Sequence, residues 1–333
     1  MKRISILIPK GEAVMGSIEG PHKVFNQVNE FLVAMGKPAL FDVKLVGLSR
    51  DEQQYENSFT VKPQLSIYEL DYTDLIVIPA IKGDLKRSIQ INQDFIPWIS
   101  RHYKAGTEIA SLCLGAFLLA STGLLKGRKC ATHWVFANEF KKMFPDVNLV
   151  AEKIITDENG IYCSGGAYSF LNLILYLIEK YAGRSMAVLC AKVFEIEIER
   201  GSQSPFIIFN GQKEHEDEPV KKAQVFIENN FQKKITVDEL ASMLALSRRN
   251  LERRFKKATS NTTVEYIQRV KIEAAKMSLE NSRENVNEVM YKVGYNDSKA
   301  FRTTFKKITG LSPLQYRSKY NREMLPSQRV VSS

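Results

Sequence analysis

The sequence predicts an α/β sandwich followed by a separate all-helical domain, and three observations carry that prediction. Over the first two hundred residues, short runs of Ile, Val and Leu alternate with amphipathic stretches, the pattern of βαβ units with helices on both faces of a mostly parallel sheet. Beyond residue 219 the strand pattern stops and only helical periodicity remains. The charge divides at the same place. Residues 1–218 hold 24 Lys and Arg against 26 Asp and Glu, and residues 219–320 hold 21 against 10; residues 321–333 add a net +1, for a chain total of +10.

Taken in order, Ile4–Ile8, Val43–Gly47, Leu75–Pro79, Glu108–Cys113 and Ile161–Cys163 are brief and aliphatic, as strands buried on both faces must be. Between them, Val24, Phe25, Val28, Phe31, Leu32 and Met35 share one face of a predicted helix over 21–36, closed by Gly36. Phe95, Ile96, Ile99 and Tyr103 do the same over 91–105, closed by Gly106, and a further helix is expected from about Tyr168 to Tyr181. This order suits a flavodoxin-like sandwich over 1–210. Residues 211–218 are polar and acidic, which predicts a linker, with Asp217 or Glu218 as N-cap and Pro219 in the first helical turn. The helical domain is expected over 219–320 and a flexible tail over 321–333.

At 44% apolar and 25% charged residues the composition is that of a folded globular chain. No apolar run approaches the ~18 residues that span a bilayer, and Met1–Pro9 reads as a first strand rather than a signal peptide. The four cysteines, Cys113, Cys130, Cys163 and Cys190, form no C-x-x-C pair and have no His at ligand spacing. Neither disulfides, a metal nor another cofactor is expected, and a reducing cytoplasm is the expected location.

In the basic part, Thr236 with Glu239 forms a capping box, Leu240 and Leu244 face inward, and Ser247 caps a second helix. That helix turns Leu251 and Phe255 inward and Arg248, Arg249, Asn250, Arg253 and Arg254 outward. Arg can bond guanine in bidentate fashion, Asn can bond adenine, and the remaining cations can hold phosphates, so this face suits a DNA major groove. About fifty residues on, Asn285–Lys307 repeats the plan: Gly294 in the turn, Asn296 or Asp297 as cap, Phe301 and Phe305 inward, and Ser298, Lys299, Arg302, Thr303 and Lys306 available outside.

Residues 221–320 resemble the DNA-binding domain of the AraC/XylS family of bacterial transcription regulators. The match runs through Leu240-Ala241, Ser247–Phe255, Lys271–Ala275, Gly294-Tyr295, Asp297-Ser298, Phe301-Arg302, Phe305-Lys-Lys and Gly310-x-Ser-Pro-x-x-Tyr-Arg317. The resemblance implies two helix-turn-helix units joined by a long helix, here about 263–281, with a recognition helix in each of two successive major grooves. Met290 stands where that family usually has Ala, which predicts local repacking in the second unit.

In the first domain, Ala110-Ser-Leu-Cys-Leu-Gly-Ala-Phe117 places Cys113 where a strand runs into a helix, with Gly115 allowing a sharp turn. A thiol at a helix N-terminus is expected to have a lowered pKa and to be the most reactive of the four. Residues 1–205 resemble the ThiJ/PfpI-like domain of the glutamine-amidotransferase-like superfamily, in the GlxA-like or FtrA-like form fused to AraC-type domains. The matching pieces include Glu19-Gly-Pro21, Gly83, Cys113–Ala120, Ala131-Thr-His-Trp134, Ser164-Gly-Gly166 and Ser202–Phe206. The resemblance implies a pocket at Cys113 lined by the Gly83 loop and the His133 segment, with Glu19, Gly83, Cys113, Leu114 and His133 as candidate ligand contacts. Peptidase-like members have His after the elbow Cys, where this chain has Leu114, and others have an acid at the place of Ser17.

The expected function is a transcription regulator that binds double-stranded DNA and senses a small molecule near Cys113. It is expected to dimerise through the N-terminal domain, to engage RNA polymerase as a further partner and to have no contact with a membrane. The alternative is an active ThiJ/PfpI-type amidase, peptidase or glyoxalase-like enzyme fused to a DNA-binding domain, with Cys113 and His133 as its only catalytic candidates; a nonspecific nucleic-acid binder is the third reading.

Overall fold

Strands covered on both faces must be apolar on both sides, and the main sheet of this protein is built that way. The computed structural model describes residues 1–198, 201–213 and 215–321, which divide into two units, Met1–Gln203 and the chain from Ser204. The first unit runs β1 (Lys2–Ile8), α1 (Gly16–Ala34), β2 (Phe41–Gly47), a hairpin of β3 (Gln53–Tyr55) and β4 (Phe59–Val61), β5 (Leu65–Ser66) and β6 (Leu75–Ile78). It continues through α2 (Leu85–Ile91), α3 (Phe95–Lys104), β7 (Glu108–Ser111), α4 (Gly115–Ser121), β8 (Lys129–Cys130), α5 (Ala137–Met143) and β9 (Asn148–Leu149). Last come β10 (Ile155–Glu158), β11 (Ile161–Ser164), α6 (Phe170–Ala182) and α7 (Arg184–Val193).

The seven-stranded sheet has the order β10-β11-β7-β6-β1-β2-β5, with β10 antiparallel to β11 and the other pairings parallel. Alternate residues feed two apolar layers. Ile4, Ile6, Ile8, Leu75 and Val77 join Phe25, Val28 and Leu173 on one face. Leu7, Ile76 and Ile78 join Phe95, Ile99 and Phe117 on the other. The mostly parallel α/β sandwich is as expected. α1 begins at Gly16 rather than 21 and runs through Pro21, while α2, α7 and β10 lie outside the expected elements.

The boundary moves. Residues 204–213 belong to the second unit rather than to a first domain ending at 210. Phe209 packs edge-on against Tyr266 at 5.1 Å, its N–H donates to Glu273, and the Ile207 carbonyl accepts from Lys276. Nor is 211–218 a free linker. Lys213 pairs with Glu228 at 2.6 Å, and Asp217 caps the next helix while holding Arg254. Asn321, expected to open a flexible tail, is buried and donates to the Leu279 and Ser282 carbonyls. The rest of that expected tail, 322–333, lies outside the described residues.

The second unit contains α8 (Glu218–Asn230), α9 (Val237–Met243), α10 (Arg248–Thr259), α11 (Thr263–Asn281), α12 (Val286–Lys292), α13 (Ser298–Thr309) and α14 (Pro313–Tyr320). Side chains cap all of their N-termini: Asp217 for α8, Thr236 with Glu239 for α9, Ser247 for α10, Thr262 with Glu265 for α11, Asn285 with Glu288 for α12, Asp297 for α13 and Ser312 with Gln315 for α14. Two apolar clusters form. Val220, Ile227, Leu240, Leu251, Phe255 and Tyr266 make one, and Ile272, Leu279, Val289, Phe301, Phe305 and Tyr316 make the other. Met290 is 2% exposed and takes its place in the second cluster.

The turns of the two helix pairs have the same backbone and different residues. Gly294, between α12 and α13, has φ +75°, and a Cβ there would sit 2.2 Å from the Gln232 carbonyl oxygen. Ala245, between α9 and α10, is exposed and adopts φ +52° with a side chain attached. Left-handed backbone costs an L-residue about 1–2 kcal/mol, against about 0.5–1 kcal/mol of entropy for glycine. Ala245→Gly should therefore raise stability by about 0.5 kcal/mol, whereas Gly294→Ala should lower it by more than about 2 kcal/mol. Thermal melts of the two variants should move in opposite directions; a shared direction contradicts this account of the turns.

Candidate functional site: a cysteine elbow and two basic helices

β7 ends at Ser111, and two residues later Cys113 turns the chain into α4 with φ +53°, a left-handed conformation in a residue other than glycine. The turn fits only because Gly115 is bare. A Cβ there would lie 2.5 Å from the Ile78 carbonyl oxygen and 2.7 Å from that of Pro79. The backbone of Cys113 is held from two sides: its N–H donates to Ser164 Oγ at 3.2 Å, and its carbonyl accepts from Thr132 Oγ1 at 2.8 Å. The backbone N–H groups of Ala167 and Leu114 point at the thiol, and Ala167 is itself left-handed at φ +49°.

The expectation of a lowered thiol pKa is corrected. Cys113 is only 6% exposed, and burial pushes its pKa up to about 11 despite the two N–H groups. α4 is only seven residues long, and the desolvation outweighs the backbone N–H groups at its start. The other three cysteines are also buried, and none of the four is in a disulfide.

The remaining candidate contacts separate into two groups. Leu114 is buried beside the thiol. His133 is half-buried, accepts from the Val135 N–H through Nδ1 at 3.2 Å, and lies against Gly166, where a Cβ would be 2.5 Å from its ring. Burial lowers the His133 pKa, which favours the neutral ring. Glu19 is exposed in the first turn of α1, and Gly83, at φ +81°, has the Glu12 carboxylate as its neighbour.

Sequence reasoning missed the residues that organise this region. Gln203 Oε1 accepts from the Gly166 N–H, and its Nε2 faces the carbonyls of Thr132, Ala151 and Lys153 at 3.0, 2.6 and 3.1 Å. It thereby ties the His133 segment to the segment that follows β11. Ser17, where other members carry an acid, bonds the Val14 carbonyl and the Ala80 N–H, joining α1 to the end of β6. Gln203, Thr132 and Ser164 all lie inside matched motifs, but the hydrogen bonds join segments 19 to 71 residues apart.

In the second unit the outer faces of α10 and α13 are basic, as expected. Arg248, Arg249 and Arg253 are exposed on α10, and Lys299, Arg302, Thr303 and Lys306 on α13; Asn250 and Ser298 are half-buried. Asn250 Oδ1 accepts from Arg253 at 3.1 Å. Arg248 is shared between Asp238 at 3.0 Å and Glu252 at 3.5 Å. Arg254, expected to hold a phosphate, is instead bonded through Nε and Nη2 to Asp217, with closest distances of 2.9 and 2.8 Å. Its guanidinium holds the Asp217 carboxyl below the usual carboxylate range and fastens α10 to the start of α8.

Residues 2–180 match the DJ-1/PfpI family and residues 240–319 match a helix-turn-helix domain. The HTH-type transcriptional regulator GbdR of Pseudomonas aeruginosa is 24% identical over 279 residues, covering 80% of this chain and 72% of that protein. ArgR of the same organism is 24% identical over 216 residues, covering 65% of each. The chain thus spans about two thirds of the length of these curated relatives. A solved structure of a putative transcriptional regulator from Vibrio parahaemolyticus is 25% identical with a TM-score of 0.52, over 58% of this chain and 98% of that one. With the elbow in its first unit and two capped helix pairs in its second, the chain belongs to the DJ-1/PfpI family and carries an AraC-type helix-turn-helix domain at its C-terminal end.

Proposed function

We propose that the protein is a sequence-specific DNA-binding transcription regulator whose α/β unit responds to a small molecule bound near Cys113. The pair of capped helices with basic outer faces, carried on one connecting helix, supports this reading most directly. The net charge of +11 over 219–320 supplies the nonspecific attraction to phosphates, and exposed Arg249, Arg253 and Arg302 supply candidate base contacts. In this reading the α/β unit also forms a homodimer contact, the protein works in the cytoplasm, and RNA polymerase is a further partner.

The elbow favours binding over turnover. A nucleophile needs an adjacent base and an orienting group; Leu114 follows Cys113 where peptidase-like members have His, Ser17 is engaged with backbone, and the thiol stays protonated at neutral pH. Selection of bound duplexes from a random pool tests the DNA reading. A recurring motif bound at least about 10³-fold tighter than bulk duplex supports it, and the absence of any motif overturns it.

Arg253→Ala should cost about 1–3 kcal/mol of affinity and relax preference at one position of that motif. Arg254→Ala should act on stability instead. It and Asp217→Asn, which keeps the helix cap, should each lower the melting temperature, and the double variant should be no less stable than the worse single one. Additive losses would show that the two side chains act separately. At Cys113, alkylation by iodoacetamide should be slow at pH 7 and accelerate about tenfold per pH unit toward pH 11, because a raised thiol pKa leaves less thiolate at any lower pH. Mass spectrometry of timed pulses measures this; a rate already saturated at pH 8 contradicts the buried, protonated thiol. Cys113→Ser should leave basal DNA affinity unchanged.

A further inference from the structure

The two helix pairs of the second unit have separate apolar clusters, one built around Leu240, Leu251 and Phe255 and the other around Val289, Phe301 and Phe305. The pairs are therefore joined through the elements they share. α11 supplies residues to both, and Phe231, at the end of α8, packs against the second cluster. Between Thr236, Asp238 and Arg248 of the first pair and Tyr295 of the second lies an open cleft of about 450 Å³ with Lys271 in its wall.

A polar clamp closes the junction beside that cleft. Lys271, in the middle of α11, is 7% exposed, and among the described residues no carboxylate pairs with it. Its ammonium donates to the Lys233 carbonyl at 3.2 Å, in the loop that leads to the first pair. It also donates to the Val293 and Gly294 carbonyls at 3.2 and 3.0 Å, in the turn of the second pair. Three donors thus meet three acceptors, one from the loop before the first pair and two from the turn of the second. Gly294 lets the two backbones meet, since a Cβ there would lie 2.7 Å from Lys271 Nζ as well as against Gln232.

We propose that Lys271 is a positioning residue that fixes the setting of α13 relative to α10, and through it the spacing between the two DNA segments that the protein accepts. This rests on the reading in which both helices enter DNA. The ammonium touches neither recognition helix; it acts by holding the second pair's turn against the first pair's entry loop. A long side chain with several donors is required, because the three carbonyls lie on two different segments.

Selection from a randomised duplex pool with the full-length protein tests this. Wild-type protein should enrich two preferred segments at one separation, about 10–10.5 base pairs centre to centre. Lys271→Met should enrich the same two segments at several separations and bind the wild-type-selected duplex about tenfold more weakly. Lys271→Arg, which restores multiple donors, should return the single separation. Lys271→Gln should broaden the separation as Met does and serves where the Met variant does not fold. A single, unchanged separation in Lys271→Met or Lys271→Gln overturns the proposal. So does failure of both variants to fold, which would make Lys271 a determinant of the fold and not of spacing. One preferred segment in the wild-type selection would instead overturn the reading that both helices contact DNA, whatever the variants do.

Discussion

A buried polar group has to find its partners inside the protein, and this requirement organises both units. In the α/β unit one amide, Gln203, is 2% exposed and ties together chain segments that would otherwise pass the cysteine elbow independently. In the helical unit one ammonium, Lys271, does the equivalent between two helix pairs. In each case the apolar layers set the position of elements to within the tolerance of side-chain packing. The polar hub then selects one arrangement, because a small displacement leaves a buried donor or carbonyl unpaired at a cost of about 1–3 kcal/mol.

The elbow illustrates how much of a site is local. The end of the strand, the sharp turn at Cys113 and the bare glycine two positions later are all contained in Ala110–Phe117 and were legible there; the left-handed backbone of Cys113 is what the structure adds. The ionisation of the thiol was not. It depends on how deeply segments from elsewhere bury Cys113, with Ala167 and Ser164 arriving from more than fifty residues away. The same division appears on α10. Its caps, inward Leu251 and Phe255 and basic outer face follow from spacing alone, whereas the removal of Arg254 from that face needed Asp217, 37 residues upstream.

Among the elements, legibility followed amphipathic contrast. α10, α11 and α13 begin at capping residues and alternate charge with core residues, so their ends were marked in the sequence. α2 spans only seven residues, α7 follows α6 after the single residue Gly183, and the two-residue strand β5 takes its identity from pairing with β2. β10 alternates weakly and is an antiparallel edge, so only its neighbour β11 makes it a strand. The boundary after Gln203 escaped for a related reason: residues 204–213 have no periodicity, and their membership of the second unit comes from contacts with α8 and α11.

The internal pairing of cations in the second unit changes what its formal charge of +11 means for association with a polyanion. Arg254, Lys276 and Lys292 are paired with carboxylates, and Lys271 and Arg317 spend donors on backbone carbonyls. Counterion release counts phosphates neutralised, at a slope of about −0.9 per contact in log affinity against log salt. Cations already satisfied within the fold contribute to the long-range field around the unit, but little to that slope. In the proposed reading, the unit would attract DNA as a strongly basic body and hold it as a moderately basic one, which would leave more of its discrimination to base edges than its composition suggests.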